Sequence, residues 1–180
     1  MTGRLIGVVG PSGVGKDSLM AGLGAAFTEF SLVRRVITRD ASLGGEYYDA
    51  VGEEAFLRMK DEGAFCVSWE AHGLHYGIPD EVRIRVSKGE QMLVNLSRNV
   101  LALVAERFPG FEVLNVTASP ETLQKRLAGR GRESREEIAR RLSRTVKPFP
   151  AHLKVHTIHN DGLLQDAVTT ALELLHPVRA

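Results

Sequence analysis

The run Gly10-Pro11-Ser12-Gly13-Val14-Gly15-Lys16-Asp17 limits what this chain can fold into more than any other stretch. An apolar run over 5–9 leads into it, and a helix-compatible run over 18–27 follows. A glycine-rich turn between strand and helix is the setting of a phosphate-binding P-loop, G-x-x-x-x-G-K-[ST]. Glycines let the backbone wrap an anion closely. Its N–H groups then point inward, with the positive end of the helix dipole behind them. Lys16 adds a charge that can reach the outer phosphates of a nucleotide. The expected nucleotide-binding residues are Gly10, Pro11, Ser12, Gly13, Val14, Gly15, Lys16, Asp17 and Ser18, with Lys16 also catalytic. One position departs from the pattern. Asp17 stands where a hydroxyl would ligate Mg2+. A carboxylate is the better magnesium ligand by charge, yet it repels phosphate unless metal lies between them. Asp17 therefore reads either as a metal ligand or as an acid favoured in the first turn of a helix.

The chain has 180 residues, enough for one domain with inserted lobes and a real core. Its net charge of +1 provides no global field toward nucleic acid or a membrane surface. An anion site must come from local clustering. Cys66 is the single cysteine, which excludes a disulfide framework and a C-x-x-C metal site. No apolar run approaches the length of a membrane span. The first apolar run is too short for a signal peptide and belongs to the fold, so a cytoplasmic location is expected. Small-molecule partners are expected. The oligomeric state is open, a homodimer included.

Read in order, 4–9 is a buried parallel strand and 16–27 the first helix. A second strand is expected over 32–37 and a polar loop over 38–52. A helix over 53–62 precedes short strands at 64–69 and 74–76, joined by a turn at His72-Gly73. A helix over 79–88, a strand over 91–96, a helix near 99–108 and a strand over 111–117 follow. Ser119-Pro120-Glu121 opens a helix with a capping serine and a proline at its first position. Glycines break that helix at 129–131, and Ser134 to Glu137 form a capping box for the next. A last strand over 154–158 and a helix over 163–175 close the chain. Alternating strands and helices predict an α/β fold: a P-loop kinase core with a mainly parallel sheet covered by helices. Short strands between 38 and 89 predict a lobe inserted between the second and third core strands. The whole chain then reads as one domain, with core 1–37 and 90–180, lobe 38–89 and lid 129–134. A ligand belongs at the carboxyl ends of the strands, between core and lobe.

Phosphoryl transfer asks the protein mainly for alignment and charge neutralisation. Arg130 and Arg132 lie on the glycine-flanked turn, with Arg126 before them and Arg140, Arg141 and Arg144 beyond. Guanidinium groups recognise phosphate through a planar fork. Beside a P-loop, this stretch reads as an arginine lid that closes over the phosphates. The plainer alternative is a solvated basic helix pair balanced by Glu133, Glu136 and Glu137. Arg39 follows the second strand and is the foremost candidate for gripping an acceptor, and Arg98, after the third core strand, is the next. Ordinary salt bridges are the alternative for both. His72 and His75 flank the lobe turn, where they either touch substrate or hold the turn together.

The chain resembles guanylate-kinase-type P-loop kinases over almost its whole length. The matching pieces are 10–16, Thr38-Arg39, His72-Gly73 with Tyr76-Gly77, Arg130-Gly131-Arg132 with Arg141 downstream, and Asn160-Asp161. The resemblance implies that Asn160 lies near the adenine, Tyr76 binds the acceptor phosphate, and Arg130, Arg132 and Arg141 act catalytically. Several guanine-reading positions differ. The second arginine of T-R-x-x-R is Ser42, Glu46 comes one position late, and the acid that reads the guanine edge is Val67. A site built to hydrogen-bond guanine loses orders of magnitude without those partners. The departures are similar to those of ribose 1,5-bisphosphate phosphokinases of bacterial phosphonate breakdown, in Gly15-Lys16-Asp17-Ser18, 37–42, Asn95 with Ser97-Arg98, 129–133 and 160–162. That resemblance implies transfer of the γ-phosphoryl of ATP, with Mg2+, to the 1-phosphate of ribose 1,5-bisphosphate, giving 5-phosphoribosyl 1-diphosphate (PRPP). Such an acceptor carries about −3 to −4 charge. Like charges 4 Å apart cost about 4 kcal/mol at an effective dielectric of 20. Arginines and Mg2+ together are needed to hold it beside ATP. The alternatives are a nucleoside monophosphate kinase with relaxed base reading and a guanylate-kinase-like binding module without catalysis.

Overall fold

The computed structural model describes residues 3–40, 47–129 and 147–176. Strand β1 (Arg4–Val9) leads into helix α1 (Lys16–Ala26). Strands β2 (Phe30–Leu32), β3 (Arg35–Ile37) and β4 (Tyr48–Ala50) follow, then α2 (Glu53–Asp61), the hairpin β5 (Phe65–Ala71) and β6 (Leu74–Pro79), and α3 (Asp80–Ser87). The chain continues through β7 (Gln91–Asn95), a 3-10 turn (Arg98–Val100), α4 (Leu101–Arg107), β8 (Glu112–Thr117) and α5 (Pro120–Gly129). It ends in β9 (Lys154–His159) and α6 (Leu164–Leu175).

Five strands form a sheet in the order β2-β7-β1-β8-β9, every neighbouring pair parallel. β1 lies at its centre and is apolar on both faces. Ile6 and Val8 enter one buried cluster with Leu19 and Leu23 of α1 and Val168 and Ala171 of α6. Leu5 and Val9 enter a second cluster with Val82 of α3 and Leu101 and Val104 of α4. Successive side chains of a strand point to opposite faces, so an unbroken apolar run is the signature of a strand covered on both sides. Each such side chain contributes about 1.5–3 kcal/mol relative to exposure.

The second sheet, β4-β3-β6-β5, belongs to the lobe. β3 runs parallel to β4 and antiparallel to β6, which pairs antiparallel with β5. The strand expected over 32–37 is therefore two strands in two sheets. Val33 still donates its N–H to the Leu93 carbonyl at 2.9 Å, and the chain then crosses to the lobe. No glycine or proline marks the crossing, so the apolar pattern reads through it. The loop expected over 38–52 contains β4 at its end. In the β5–β6 hairpin, His72 and Gly73 take φ of 55° and 72°, the two positive values that a two-residue type I′ turn requires. His75 stacks on Phe56 at 5.4 Å between centroids and lies 3.5 Å from Glu53. His72 thus shapes the hairpin turn, and His75 ties the hairpin to α2.

At the amino ends of the strands, Glu112 is surrounded by two cations and a histidine. Its carboxylate lies 3.0 Å from Arg4, 3.3 Å from Lys154 and 2.9 Å from His156. Arg4 also donates to the Leu175 carbonyl, which ties β1 to the end of α6. Burial pushes the Glu112 carboxyl up, but hydrogen bonds and charge from His156, Arg4 and Lys154 outweigh it and leave the pKa below the usual value. A depressed folded-state pKa stabilises above the unfolded value, and that stability is lost as pH falls through the folded value. Glu112→Gln is expected to destabilise the fold by about 2 kcal/mol near neutrality, the scale of hydrogen bonds to charged groups. The difference from wild type should shrink as pH falls below about 4.5, the ordinary glutamate value. Denaturant titrations at several pH values check both points.

Candidate active site

The carboxyl end of β1 delivers Gly10 to the centre of the molecule. Gly13 and Gly15 take φ of 83° and 92°, values that side-chain-bearing residues rarely adopt. A Cβ at Gly15 would also stand 2.8 Å from Nδ2 of Asn160. The loop is therefore sterically committed to glycine, and its N–H groups belong to the open start of α1. Gly15 caps that helix in the left-handed conformation, with no side-chain hydrogen bond in the way. The cradle fits a phosphate chain.

The back of the loop is braced from one helix and the ends of two strands. Asn160, 4% exposed just past β9, donates Nδ2–H to the Val14 carbonyl at 2.8 Å. Arg126 of α5 donates to the same carbonyl at 3.3 Å. Asn160 is itself held by its backbone N–H, which donates to Thr117 at the end of β8 at 2.8 Å. The neighbouring Asp161 accepts the Ser119 N–H at 2.8 Å, and Ser119 caps α5 through Thr122. The structure thus places Asn160 beneath the P-loop. Its part in holding the loop shape was not readable from its spacing.

On the open side, Lys16 donates Nζ–H to the carbonyls of Gly10 and Pro11 at 3.0 and 3.2 Å. Its ammonium is thereby folded over the loop mouth. Asp17 accepts a hydrogen bond from Asn95 Nδ2 at 3.1 Å. Asn95 ends β7, the strand next to β1, in register with Val8. A carboxylate beside a side-chain amide is a hard-oxygen donor set. Mg2+ takes one or two protein ligands of this kind and fills the rest with water and substrate phosphate, so these residues fit it.

Beside Asp17 opens a small cleft between core and lobe, lined among others by Leu32, Val33, Arg35, Tyr47 and Asn95. Arg35 was not singled out from sequence, because it lies inside an apolar strand pattern. The pair Arg34-Arg35 in that pattern was the available signal. Tyr76 lies on the same face of the lobe sheet. It stacks on Trp69 at 5.3 Å between centroids, and the Arg35 guanidinium lies 5.6 Å from its ring. Arg39 follows β3 by two residues, in the lobe. Val67, at the position implied for a guanine-reading acid, is 4% exposed and packed in the second apolar cluster.

Arg98 is turned to the protein. It donates to the Lys147 carbonyl at 3.2 Å and to Asn115 at 3.1 Å, and its guanidinium lies 4.2 Å from the Phe149 ring centre. Burial lowers its pKa from the usual arginine value. Burial, and then the nearby Asp80 carboxylate, push the Cys66 thiol up to about 11, away from the thiolate form. Arg130, Arg132 and Arg141, with the lid expected over 129–134, lie outside the described residues except for Gly129.

Comparison with known proteins agrees with this geometry. The guanylate kinase family model matches residues 2–176. A ribose 1,5-bisphosphate phosphokinase PhnN of Ruegeria sp. (strain TM1040) is 46% identical over 179 residues, covering 99% of this chain and 94% of the relative. A protein of the same name from Agrobacterium fabrum is 42% identical, with 95% of both chains covered. Among solved structures, a guanylate kinase from Anaplasma phagocytophilum superposes with a TM-score of 0.67 at 19% identity, over 97% of this chain and 85% of that one. At that identity the likeness speaks for the fold alone. With the P-loop, the parallel sheet and the inserted lobe in place, the match over nearly the full length assigns this chain to the guanylate kinase family.

Proposed function

We propose that this chain transfers the γ-phosphoryl group of ATP to the 1-phosphate of ribose 1,5-bisphosphate, giving PRPP and ADP. The observation that carries the reading is Val67. Where a guanylate-type acceptor needs an acid to read its base, the lobe presents an apolar side chain sealed in the core. The names of the two relatives reported above, similar along almost their entire lengths, support the same choice.

The chemistry follows from charge. A phosphate acceptor is already ionised near neutral pH, so its attacking oxygen needs no general base. The P-loop N–H groups and Lys16 hold the donor phosphates. Lys16 exchanges its carbonyl partners, Gly10 and Pro11, for phosphate oxygens as ATP enters. Asp17, positioned by Asn95, is the proposed ligand for Mg2+, directly or through water. When bound, Mg2+ neutralises charge between donor and acceptor phosphates. Arg39 and Tyr76 are proposed to grip the acceptor from the lobe. Arg130, Arg132 and Arg141 are proposed to close over the transferring group. Arg98, engaged by Lys147 and Asn115, is proposed to hold the wall of the site. We place the reaction in the cytoplasm, where ATP is available.

In a coupled ADP-release assay, ribose 1,5-bisphosphate is expected to exceed GMP and AMP as acceptor by at least about 10²-fold in kcat/KM. Equal or better turnover of GMP would instead make the chain a nucleotide kinase. Lys16→Ala is expected to abolish ATP binding in calorimetry, whereas a wild-type protein that binds no ATP would point to a binding module. Asp17→Ala is expected to raise the Mg2+ concentration giving half-maximal rate. An unchanged metal requirement would assign Asp17 to the electrostatics of the α1 terminus.

A further inference from the structure

We infer that Arg35 is the specificity residue of the acceptor cleft, where it reads the second phosphate of the sugar bisphosphate, the one distant from the reaction. The inference rests on the proposed function and deepens it. Three observations lead there.

The cleft beside the P-loop has two different walls. Asp17, Leu32 and Asn95 come from the core, while Arg35 and Tyr47 come from the chain that builds the lobe. Arg35 is the one cationic side chain lining it among the described residues. An acceptor that carries one phosphate toward Lys16 and Asp17 needs a cation elsewhere in the cleft for its other phosphate. The two phosphomonoesters sit at opposite ends of the pentose and each carries about −1.5 to −2 charge, so one cationic group cannot neutralise both.

Burial is the second observation. Arg35 is 7% exposed, and taking a guanidinium out of water is costly unless it is well used. Arginine suits the position, because its guanidinium is more weakly hydrated than an ammonium and its fork matches phosphate. It has five N–H donors, so a partner inside the protein does not exhaust it.

The third is direction. Residues 35 and 37 of β3 share one face, and Ile37 pairs with Tyr76 across the sheet. Arg35 and Tyr76 thus stand on the same surface, with the guanidinium 5.6 Å from the ring centre. The aromatic ring beside it limits where the guanidinium can stand on that surface. A planar neutral base gains little from such a group, whereas a phosphate gains two parallel charge-assisted hydrogen bonds.

The experiment uses two acceptors that differ only in the distant phosphate. Steady-state kinetics with ribose 1,5-bisphosphate and with ribose 1-phosphate are compared in wild type, Arg35→Met and Arg35→Lys, alongside thermal melts. Arg35→Met is expected to lose about 10²-fold or more in kcat/KM for the bisphosphate, chiefly through KM, and less than about threefold for the monophosphate. Arg35→Lys keeps the charge but loses the fork, and is expected to fall about tenfold for the bisphosphate alone. This second variant decides the matter if Arg35→Met fails to fold. Equal losses for both acceptors, or no loss for either, would overturn the assignment. Failure of the underlying function shows elsewhere, in a wild-type enzyme that does not turn over the bisphosphate; that outcome overturns both readings.

Discussion

The site depends on one constraint: a loop of bare backbone must keep its N–H groups turned inward without an anion to hold them there. Backbone in that conformation is not self-supporting. Here its back is fastened. The carbonyl of Val14 accepts hydrogen bonds from Asn160 and Arg126, so the peptide on the far side of the cradle cannot rotate freely. Asn160 lies at the end of β9 and Arg126 on α5, which makes the loop a junction of the central strand, the first helix and the far edge of the sheet. The surrounding apolar clusters give this junction its rigidity, because β1 is sealed on both faces and paired on both edges.

Charge is distributed along the strands in a corresponding way. At the amino ends, Glu112 gathers Arg4, Lys154 and His156 into a cluster whose charges face one another. At the carboxyl ends, Lys16 and Arg35 stand near the loop and cleft, where anionic ligands belong in an open α/β sheet. One end of the sheet uses charge for cohesion and the other presents it to the loop mouth and the cleft. The small net charge of the chain conceals this division, since it averages over both ends.

Much of the architecture was legible because its strands obey strong rules. β1, β7 and β8 are buried on both faces and read as apolar strands, broken in β8 only by the buried Asn115. Ser119 was legible as the α5 cap because capping is local chemistry. The passage from β2 to β3 was not, since a strand that changes sheets without glycine or proline keeps its apolar pattern. β4 was hidden by its length of three residues in a polar stretch. At the site, the glycines and Lys16 were plain, because their spacing is the chemistry. The bracing role of Asn160 and the place of Arg35 depend on which strands become neighbours. Strand order is a property of the whole chain, which no local window contains.

The lobe is attached to the core by two chain crossings, one at Val33-Arg34 and one where α3 passes into β7. Each sheet completes its own hydrogen bonding, so neither ladder ties the two bodies together. The first crossing lies immediately before Arg35. That mount is braced by apolar packing, since Val33 shares a buried cluster with Val67 and Ile78 of the lobe strands and with Leu5, Val9 and Met92 of the core. The same short connector that makes the strand prediction fail therefore fixes how far the Arg35 wall stands from Asp17, through buried packing rather than through a group that touches the ligand.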